Sequence, residues 1–429
     1  MIVVLGSMLF ASPARASEPA ARAAAPISGL SPLPTGCAPG AIVDAEEEPW
    51  MAVDPTDAMH FVAVWQQDRF AEHGGARSNV VGVTFNGGAT WTSVTVPGIS
   101  ECTGGKYERA SDPWVTIGPD GTVYMTTLAF AGGTSALDPS ALLVSRSDDG
   151  GLTWGAPAVA VDDPALMFND KQALTADPTR TGYVYLVWAR FVGGVLPINY
   201  LSRSIDGGRT WLTPTPLPDT GQFNQIVVLP DGTLLDVYGV GTYKVMRSTN
   251  AGLTWSAPIR IGSADFGPAP FVRASASPDP AVAPDGTVYV TFPGPDRILI
   301  VKSIDGGRTW SPPRVVALGD WAMIPTAAVA SDGAIGVSYY DFRNGNDSPG
   351  LMADFWFSSS RDGGQSWSEQ HVSGPFDMTR APYAQGFFVG DYEGMEAAGT
   401  KFVPVFVRPT PLDATSGVTD AYAAVLAAP

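Results

Sequence analysis

The sequence is poor in histidine, cysteine and positive charge, and each shortage excludes a class of function. Its 429 residues include 3 histidines and 2 cysteines, and no histidine lies near a cysteine, which argues against a zinc site. The 42 acidic residues outnumber the 25 basic ones and give a formal net charge of −17. This charge opposes binding to nucleic acid or to an anionic membrane surface. We therefore expect neither as a partner, and the sequence implies no cofactor.

Sustained helical periodicity and long apolar runs are also absent, so we expect little helix and no membrane span. Residues 1–16 have the apolar stretch and the small-residue cleavage site, Ala14-Arg15-Ala16, of a secretion signal. We expect an extracellular or periplasmic monomer with a flexible leader over 17–39 and one domain over 40–429. In an oxidising compartment, Cys37 and Cys102 are predicted to form a disulfide that closes a loop of about 65 residues.

What the sequence does contain is an eight-residue motif that recurs six times. It reads TFNGGATW, SDDGGLTW, SIDGGRTW, STNAGLTW, SIDGGRTW and SRDGGQSW, and it ends at Trp91, Trp154, Trp211, Trp255, Trp310 and Trp367. The third-position Asp or Asn can accept backbone N–H bonds in a tight turn, and the glycines tolerate positive φ. The tryptophan can pack between sheets. We therefore interpret the acidic residues of this box motif as structural and not as catalytic.

Each box motif follows three apolar segments, so the repeat reads as strands A, B and C, a motif turn, and strand D. This period is typical of one four-stranded blade of an all-β propeller. The segments GFFVGDYEGMEAAG, KFVPVFVR and DAYAAVL begin a further repeat without a motif, and GAIVD at 40–44 could supply its outer strand. We therefore predict seven blades, with six as the alternative.

Antiparallel strands place all C-to-D turns on one face, so functional loops are expected on the opposite face, around the axis. The B strands of three blades end in arginine, at Arg69, Arg190 and Arg343. The loops nearby also carry charged and polar residues, among them Asp68, Glu108, Arg109, Asp112, Asp170, Lys171, Asn224, Gln225, Asp341, Asp391, Tyr392 and Glu393. Salt bridges between blades are the alternative interpretation of these residues.

The repeated motifs, which are Asp boxes, resemble those of the sialidase superfamily, and the strings WQQDR, SDPW, FNDK and GDYEG are similar to bacterial sialidase-family proteins. The resemblance implies a glycosidase in which three arginines, here Arg69, Arg190 and Arg343, hold the carboxylate of an acidic sugar. It implies Tyr392 as a nucleophile with Glu393 or Glu108 as its base, and Asp68 or Asp112 as the acid. Arg109, Asp170, Lys171, Asn224, Gln225, Asp341 and Asp391 complete the candidate substrate-binding set.

Two other functions are compatible with the same residues. The Phe-Arg-Ile-Pro motif of sialidases is replaced here by EEEPWMAV, and Asp boxes also occur in propellers that only bind carbohydrate or protein. A polysaccharide lyase acting on uronic acids is the third hypothesis, with His73 as a base. A structural calcium ion is conceivable in the loop Asn344–Asp347, which is rich in Asp and Asn.

Overall fold

The computed structural model describes residues 17–132, 138–195, 197–267, 269–345, 351–410 and 418–429. These residues form 28 β-strands and two 3-10 helices, Glu101–Thr103 and Met378–Arg380, and no α-helix occurs among them. Within this part of the chain, no helix has the length and the apolarity needed to cross a membrane. The predicted secretion signal lies outside the described residues.

The strands are numbered in chain order. The first half of the chain contains β1 Arg22–Pro26, β2 Glu46–Asp54, β3 Asp57–Arg69, β4 Ala76–Thr84, β5 Thr92–Thr95, β6 Arg109–Ile117, β7 Val123–Phe130, β8 Ser140–Ser147, β9 Ala158–Asp163, β10 Met167–Ala176, β11 Val184–Val192, β12 Ile198–Ser204, β13 Thr215–Thr220 and β14 Gln225–Val228. The second half contains β15 Leu234–Tyr238, β16 Thr242–Ser248, β17 Ile259–Ser263, β18 Asp279–Val282, β19 Val288–Gly294, β20 Arg297–Ser303, β21 Arg314–Leu318, β22 Met323–Val329, β23 Ile335–Asp341, β24 Met352–Ser360, β25 Ser368–Asp377, β26 Gly394–Ala398, β27 Lys401–Pro409 and β28 Thr419–Ala427.

Consecutive strands pair antiparallel in groups of four. Four sheets contain β10–β13, β14–β17, β18–β21 and β22–β25, and a fifth has the order β1-β28-β27-β26. The remaining eight strands form one sheet in which β2–β5 and β6–β9 are joined through the single pair Ala76–Ala110. The first strands of neighbouring groups contact each other along the chain, and β26 contacts β2. This all-β arrangement is consistent with a β-propeller.

The N-terminal segment differs from the prediction. We expected GAIVD at 40–44 to complete the last group of strands, and this is wrong, because β1 pairs with β28 instead, with Arg22 opposite Val425 and Pro26 opposite Tyr422. Residues 22–26 therefore belong to a sheet and not to a flexible leader. The alanine-rich β1 lacks the long branched side chains typical of strands, so its pairing depends mainly on the exposed backbone edge of β28.

The box motifs form the turns between the third and fourth strands of six groups, as predicted. In the second group, Asp149 Oδ1 accepts from the backbone N–H of Thr153 at 2.9 Å, and its Oδ2 accepts from the Thr153 hydroxyl at 2.6 Å. Trp154 Nε1 donates to the carbonyl oxygen of Gly151 at 2.9 Å, and its ring is buried. Gly150 and Gly151 have φ of 75° and 92°, so the turn needs residues that tolerate the left-handed region.

A disulfide joins Cys37 to Cys102, as predicted, with the Cα atoms 5.4 Å apart. It ties the segment that follows β1 to the 3-10 helix Glu101–Thr103, which lies between the first and second groups of strands. The same N-terminal segment is held by Ser31, whose hydroxyl donates to Asp68 Oδ2 at 2.7 Å. These contacts fix residues 28–44 over the loop ends of the first blade.

Candidate functional site

A bulge repeated in the first strand of several groups brings charged side chains together. The pairing register shifts between Glu47 and Trp50 in β2, between Ser111 and Trp114 in β6, and between Asp170 and Ala173 in β10. The extra residues adopt positive φ, with 49° at Glu48, 46° at Asp112 and 52° at Lys171. A bulge redirects a side chain that would otherwise lie on a sheet face, and strained non-glycine residues of this kind concentrate at functional sites.

A cavity of about 560 Å³ opens over these bulges. Its walls come from the β3–β4 loop, the β7–β8 loop and the segment before β26, which lie at the strand ends opposite the motif turns. Charged residues of the lining are Glu48, Arg69, Glu72, Asp112, Asp138, Asp170, Lys171 and Arg273, and aromatic ones are Phe130, Phe168, Tyr383 and Phe388. The loops are thus gathered where the strand order predicts a site.

Lys171 stands at the centre of this charged cluster. Its Nζ donates to Asp391 Oδ2 at 2.6 Å and to Glu48 Oε1 at 3.3 Å, and it lies 3.7 Å from Asp112 Oδ2. Arg273 Nη2 also donates to Asp391 Oδ2, at 2.7 Å. One aspartate therefore binds two cations, while the lysine is shared among three carboxylates.

Two carboxylates of the cluster converge on one backbone nitrogen. The N–H of Lys171 donates to Asp112 Oδ2 at 3.2 Å and to Asp170 Oδ1 at 3.1 Å. The two oxygens are therefore separated by at most the sum of these distances, roughly 6.3 Å. Two carboxylates this close can both reach a single bond of a bound molecule.

The cluster divides its carboxylates into two protonation classes. Burial raises the pKa of Glu48 to about 8 and the pKa of Asp170 to about 7. Burial acts in the same direction on Asp112 and Asp391, but Lys171 together with hydrogen bonds, and with Arg273 at Asp391, outweighs it, so the pKa of both groups is lowered. Near neutral pH the cavity thus contains carboxyl groups that hold a proton beside carboxylates that have lost theirs, an arrangement suited to acid–base chemistry.

Arg69 is the one member of the predicted arginine trio that lines the cavity. Its Nη1 lies 2.7 Å from Glu47 Oε2, and both side chains are buried. The Asp68 carboxylate faces away from this pair, because it accepts from the backbone N–H of Asp44 at 2.9 Å and contacts Arg77 at 3.3 Å. Asp68 therefore anchors the N-terminal segment, and the structure gives no support to its predicted role as an acid.

The other predicted arginines are engaged elsewhere. Arg190 Nη2 lies 2.8 Å from Asp163 Oδ2, and Arg343 Nη1 lies 2.6 Å from Glu369 Oε2 and also pairs with Asp341. Neither arginine lines the cavity. Arg190 on β11 pairs with a carboxylate of β9 in the preceding group, and Arg343 pairs within its own group, so the structure does not assemble the predicted clamp of Arg69, Arg190 and Arg343.

Arg109 and Glu108 also lie outside the lining. The Arg109 guanidinium stacks over Phe70 at 3.9 Å and donates to the carbonyl oxygens of Glu72 and Gly74 at 2.6 and 2.8 Å. It therefore holds the β3–β4 loop that forms one wall of the cavity. Glu108 Oε1 lies 3.9 Å from Arg109 Nη2. Within the described part of the chain, no contact joins Glu108 to Tyr392.

Tyr392 and Glu393 do not form the predicted nucleophile and base. The Tyr392 hydroxyl donates to the carbonyl oxygen of Pro113 at 3.2 Å, and its ring packs against Trp50 and Trp114. Glu393 accepts instead from the Tyr340 hydroxyl at 2.5 Å, in a fully buried pair. Both residues lie just before β26, and their side chains have different partners there.

Asn224 and Gln225 are likewise used in packing. Asn224 Nδ2 donates to both oxygens of the buried Asp236, at 3.1 and 2.9 Å, and Gln225 Nε2 donates to the carbonyl oxygen of Pro278 at 3.1 Å. Asp112, Asp170, Lys171, Asp391 and Arg69 are thus the predicted residues that the structure brings to the cavity or directly beneath it.

Glu47, Glu48 and Arg273 are cavity or support residues that the predicted set of site residues does not include. One signal could have found Glu48, because Glu48-Pro49-Trp50 and Asp112-Pro113-Trp114 repeat the same acid-Pro-Trp string at equivalent strand positions. The two tryptophan rings stack at 3.5 Å beneath the charged cluster.

A metal ion finds no ready ligand set here. Among the described residues, no three His, Cys, Asp or Glu side chains are arranged so that they could hold one. The suggested calcium loop Asn344–Asp347 lies partly outside the described residues.

Comparison with known proteins adds to this geometry. No family model matches the chain. A sialidase from Micromonospora viridifaciens is 26% identical over 187 residues, which cover 35% of this chain and 29% of that protein. The match thus spans less than a third of the relative's length.

Two solved structures resemble the whole fold. A protein of unknown function from Dyadobacter fermentans has a TM-score of 0.51 at 14% identity and covers 95% of this chain and 100% of that one. An alpha-L-arabinanase from Penicillium chrysogenum, complexed with arabinobiose, has a TM-score of 0.52 at 13% identity and covers 95% and 99%. At such identities the likeness concerns the fold alone.

The repeated four-stranded sheets define an all-β protein consistent with a β-propeller, and its fold is similar to that of the arabinanase. The six box motifs and the partial match at 26% identity make the chain similar to proteins of the sialidase superfamily. This similarity does not determine a reaction.

Proposed function

We propose that this protein is a secreted glycoside hydrolase that cleaves a glycan in the cavity over the Lys171 cluster. Asp170 is the general acid, since it is partly exposed to the cavity and its pKa is raised to about 7. Asp112 is the ionised partner, since Lys171 and the hydrogen bonds from Ser111 and Glu48 together lower its pKa against the effect of burial. The observation that carries the proposal is their common contact with the backbone N–H of Lys171.

Hydrolysis of a glycosidic bond needs two such carboxyl groups. One protonates the departing oxygen, and the other stabilises or attacks the positively charged sugar carbon that develops. A carboxyl with a pKa near 7 still holds its proton in part at neutral pH, whereas a carboxylate with a low pKa is charged throughout. Burial, the single lysine and the hydrogen bonds to Asp112 together account for this division.

The charges favour a neutral glycan over the acidic sugar implied by the family resemblance. Each cation of the cavity already has an acidic partner within ion-pair distance. Arg69 pairs with Glu47, and Arg273 pairs with Asp391. Lys171 pairs with both Asp391 and Glu48. An anionic substrate would have to compete with these buried carboxylates. An exo-alpha-sialidase activity remains the second candidate, and the 26% match to a sialidase favours it.

We further propose a ring of seven blades, closed where β1 joins β28. The cyclic order of contacts between the first strands of the groups, including β26 with β2, supports this count. The disulfide between Cys37 and Cys102 supports export to an oxidising compartment. The secretion signal over 1–16 and the monomeric state stay predictions.

The test is an activity screen of the full chain with matched variants. Aryl glycosides of neutral sugars, an aryl sialoside and uronic-acid polymers are the probes. Asp170→Asn should lower kcat by ~100-fold or more, whereas Asp163→Asn, which alters the Arg190 pair outside the cavity, should keep wild-type activity. Because the acid must be protonated, kcat/KM of the wild type should fall as the pH rises through about 7.

Each alternative function gives a different result. Release of sialic acid would establish the second candidate, and an ultraviolet-absorbing product from a uronic-acid polymer would identify a lyase. Glycan binding without any product would indicate a non-catalytic module. Full activity in Asp170→Asn would overturn the assignment of the acid.

A further inference from the structure

An exposed tyrosine lies at the rim of the cavity, outside the charged cluster. Tyr383 contributes to the cavity wall, although 60% of its surface is exposed. Tyrosines elsewhere in the fold, such as Tyr185 and Tyr238, are fully buried. A large aromatic ring left open at the edge of a polar cavity is the kind of group that binding sites use to fix a ligand.

The chain around Tyr383 forms a tight hairpin that fixes its backbone. Tyr383 and Phe387 form an antiparallel bridge, and the N–H of Phe388 donates to the carbonyl oxygen of Pro382 at 3.0 Å. Across the turn, the N–H of Ala384 donates to the carbonyl oxygen of Gly386 at 2.7 Å. Several backbone hydrogen bonds therefore hold the hairpin around Tyr383, so its backbone needs little ordering when a ligand binds.

The ring itself is also oriented. The centroids of the Tyr383 and Phe387 rings lie 5.7 Å apart, with an interplanar angle of 87°. A perpendicular contact of this kind occupies at most one face of the tyrosine ring. The other face remains available for a ligand.

The hairpin is connected directly to the charged cluster. The N–H of Arg273 donates to the carbonyl oxygen of Phe387 at 3.0 Å, and the Arg273 side chain binds Asp391, which also binds Lys171. The position of Tyr383 relative to Asp170 and Asp112 is therefore set by hydrogen bonds and not by a free loop.

We propose that Tyr383 is a stacking platform for a second sugar unit, next to the one whose bond is cleaved. The C–H groups on one face of a sugar ring form an apolar surface that packs on an aromatic ring, while the sugar's hydroxyl groups stay in water. The substrate class is accordingly an oligosaccharide or polysaccharide and not a short glycoside. This inference rests on the proposed function and names its substrate class.

The test compares long and short substrates of the same sugar. The probes are arabinotriose, xylotriose and 3′-sialyllactose, each set against the aryl monoglycoside of its terminal sugar. In Tyr383→Ala, the ratio of kcat/KM for the longer substrate to that for the aryl monoglycoside should fall about tenfold, mainly through KM. Tyr383→Phe and Tyr383→Trp should restore the ratio, because the ring and not the hydroxyl provides the contact.

Phe271 supplies the matched control. It is 76% exposed and hydrogen-bonds through its backbone to the same hairpin, but it does not line the cavity. Phe271→Ala should therefore keep the wild-type ratio. An equal change in Phe271→Ala, or an unchanged ratio in Tyr383→Ala, would overturn the platform.

Binding measurements separate this inference from the proposed function. Calorimetric titration of the same trisaccharides into the full chain detects the platform even when no product forms. Binding that weakens in Tyr383→Ala without hydrolysis in the wild type would refute the hydrolase and keep the platform. If the wild type hydrolyses the longer substrates and Tyr383→Ala does so equally well, the hydrolase is kept and the platform is refuted.

Discussion

Lys171 Nζ lies 2.6 Å from Asp391 Oδ2, although 220 residues separate them in the chain. The pair joins the third group of strands to the segment before β26, and it shares its lysine with Glu48 and Asp112. Buried charges are tolerated only when they are paired and hydrogen-bonded. The charge state of Asp112 and the stability of the buried cluster therefore depend on the same ammonium group.

Replacing that lysine should destabilise the protein in a pH-dependent way. Lys171→Met leaves Asp391 and Asp112 without the cation that lowers their pKa, so unfolding should become easier by about 3 kcal/mol or more at pH 8. At pH 5 the loss should be smaller, because carboxyl groups whose pKa has risen can take up protons. Urea unfolding at pH 8 and at pH 5 measures the two losses in the free energy of unfolding. The control is Lys106→Met, which removes an exposed ion pair and should change the free energy little at either pH.

The buried pair of Arg69 and Glu47 should behave non-additively. Burial raises the pKa of Glu47 to about 8, so at pH 9 Arg69→Met leaves this buried carboxyl group without the guanidinium that stabilises its charge, which should cost about 3 kcal/mol in the free energy of unfolding. Adding Glu47→Gln removes the unpaired charge, so the double variant should be more stable than Arg69→Met. A double-mutant cycle from urea unfolding gives the coupling energy, and strictly additive effects would show that the pair is not coupled.

Asp236 should make the fold more stable in mild acid than in base. Burial raises the pKa of Asp236 to about 8, well above the usual value for an aspartate. The folded state therefore holds a proton that the unfolded chain releases, so the contribution is full at low pH and is lost as the pH rises through about 8.

Asp236→Asn should remove this loss, which is about 4 kcal/mol over the three pH units between pH 5 and pH 8, and so stabilise the protein at pH 9 relative to pH 5. Asn224 Oδ1, which lacks a hydrogen-bond partner within the described chain, can then accept from the new amide. The exposed Asp231, whose pKa is lowered by hydrogen bonds from Thr233, supplies the control. Asp231→Asn should bring no gain at pH 9, and a similar gain there would contradict the assignment.

The motif turns should contribute to stability and not to activity. Asp206 accepts from the backbone N–H of Thr210 at 2.9 Å and from its hydroxyl at 2.6 Å. Asp206→Ala should lower the free energy of unfolding by about 1 kcal/mol. Asp206→Asn should be nearly neutral, because Asn250 already makes the equivalent contacts in another turn, with its Oδ1 3.0 Å from the N–H of Thr254. Changed kcat in either variant would contradict a structural role.

Local patterns in the sequence predicted most of the fold. Each motif turn needs residues that accept backbone N–H bonds and tolerate positive φ, so the six turns, their flanking strands and the face for the loops follow from the residues themselves. The disulfide was predictable because the chain has two cysteines and its first residues predict a secretion signal. The outer strand β1 was not, because its alanine-rich segment carries no pattern and its position depends on the free edge of β28.

The sequence by itself determined the repeat, the strand order and which loops meet, since these depend on residues close together in the chain. Only the tertiary structure decided which charges pair. Asp112, Asp170, Lys171 and Asp391 converge, whereas Arg190 pairs with Asp163 of the preceding group of strands, Arg343 pairs with Asp341, and Glu393 binds Tyr340. Ion pairs act through space over a few ångströms, and the bulges that redirect Glu48, Asp112 and Lys171 set which side chains come that close.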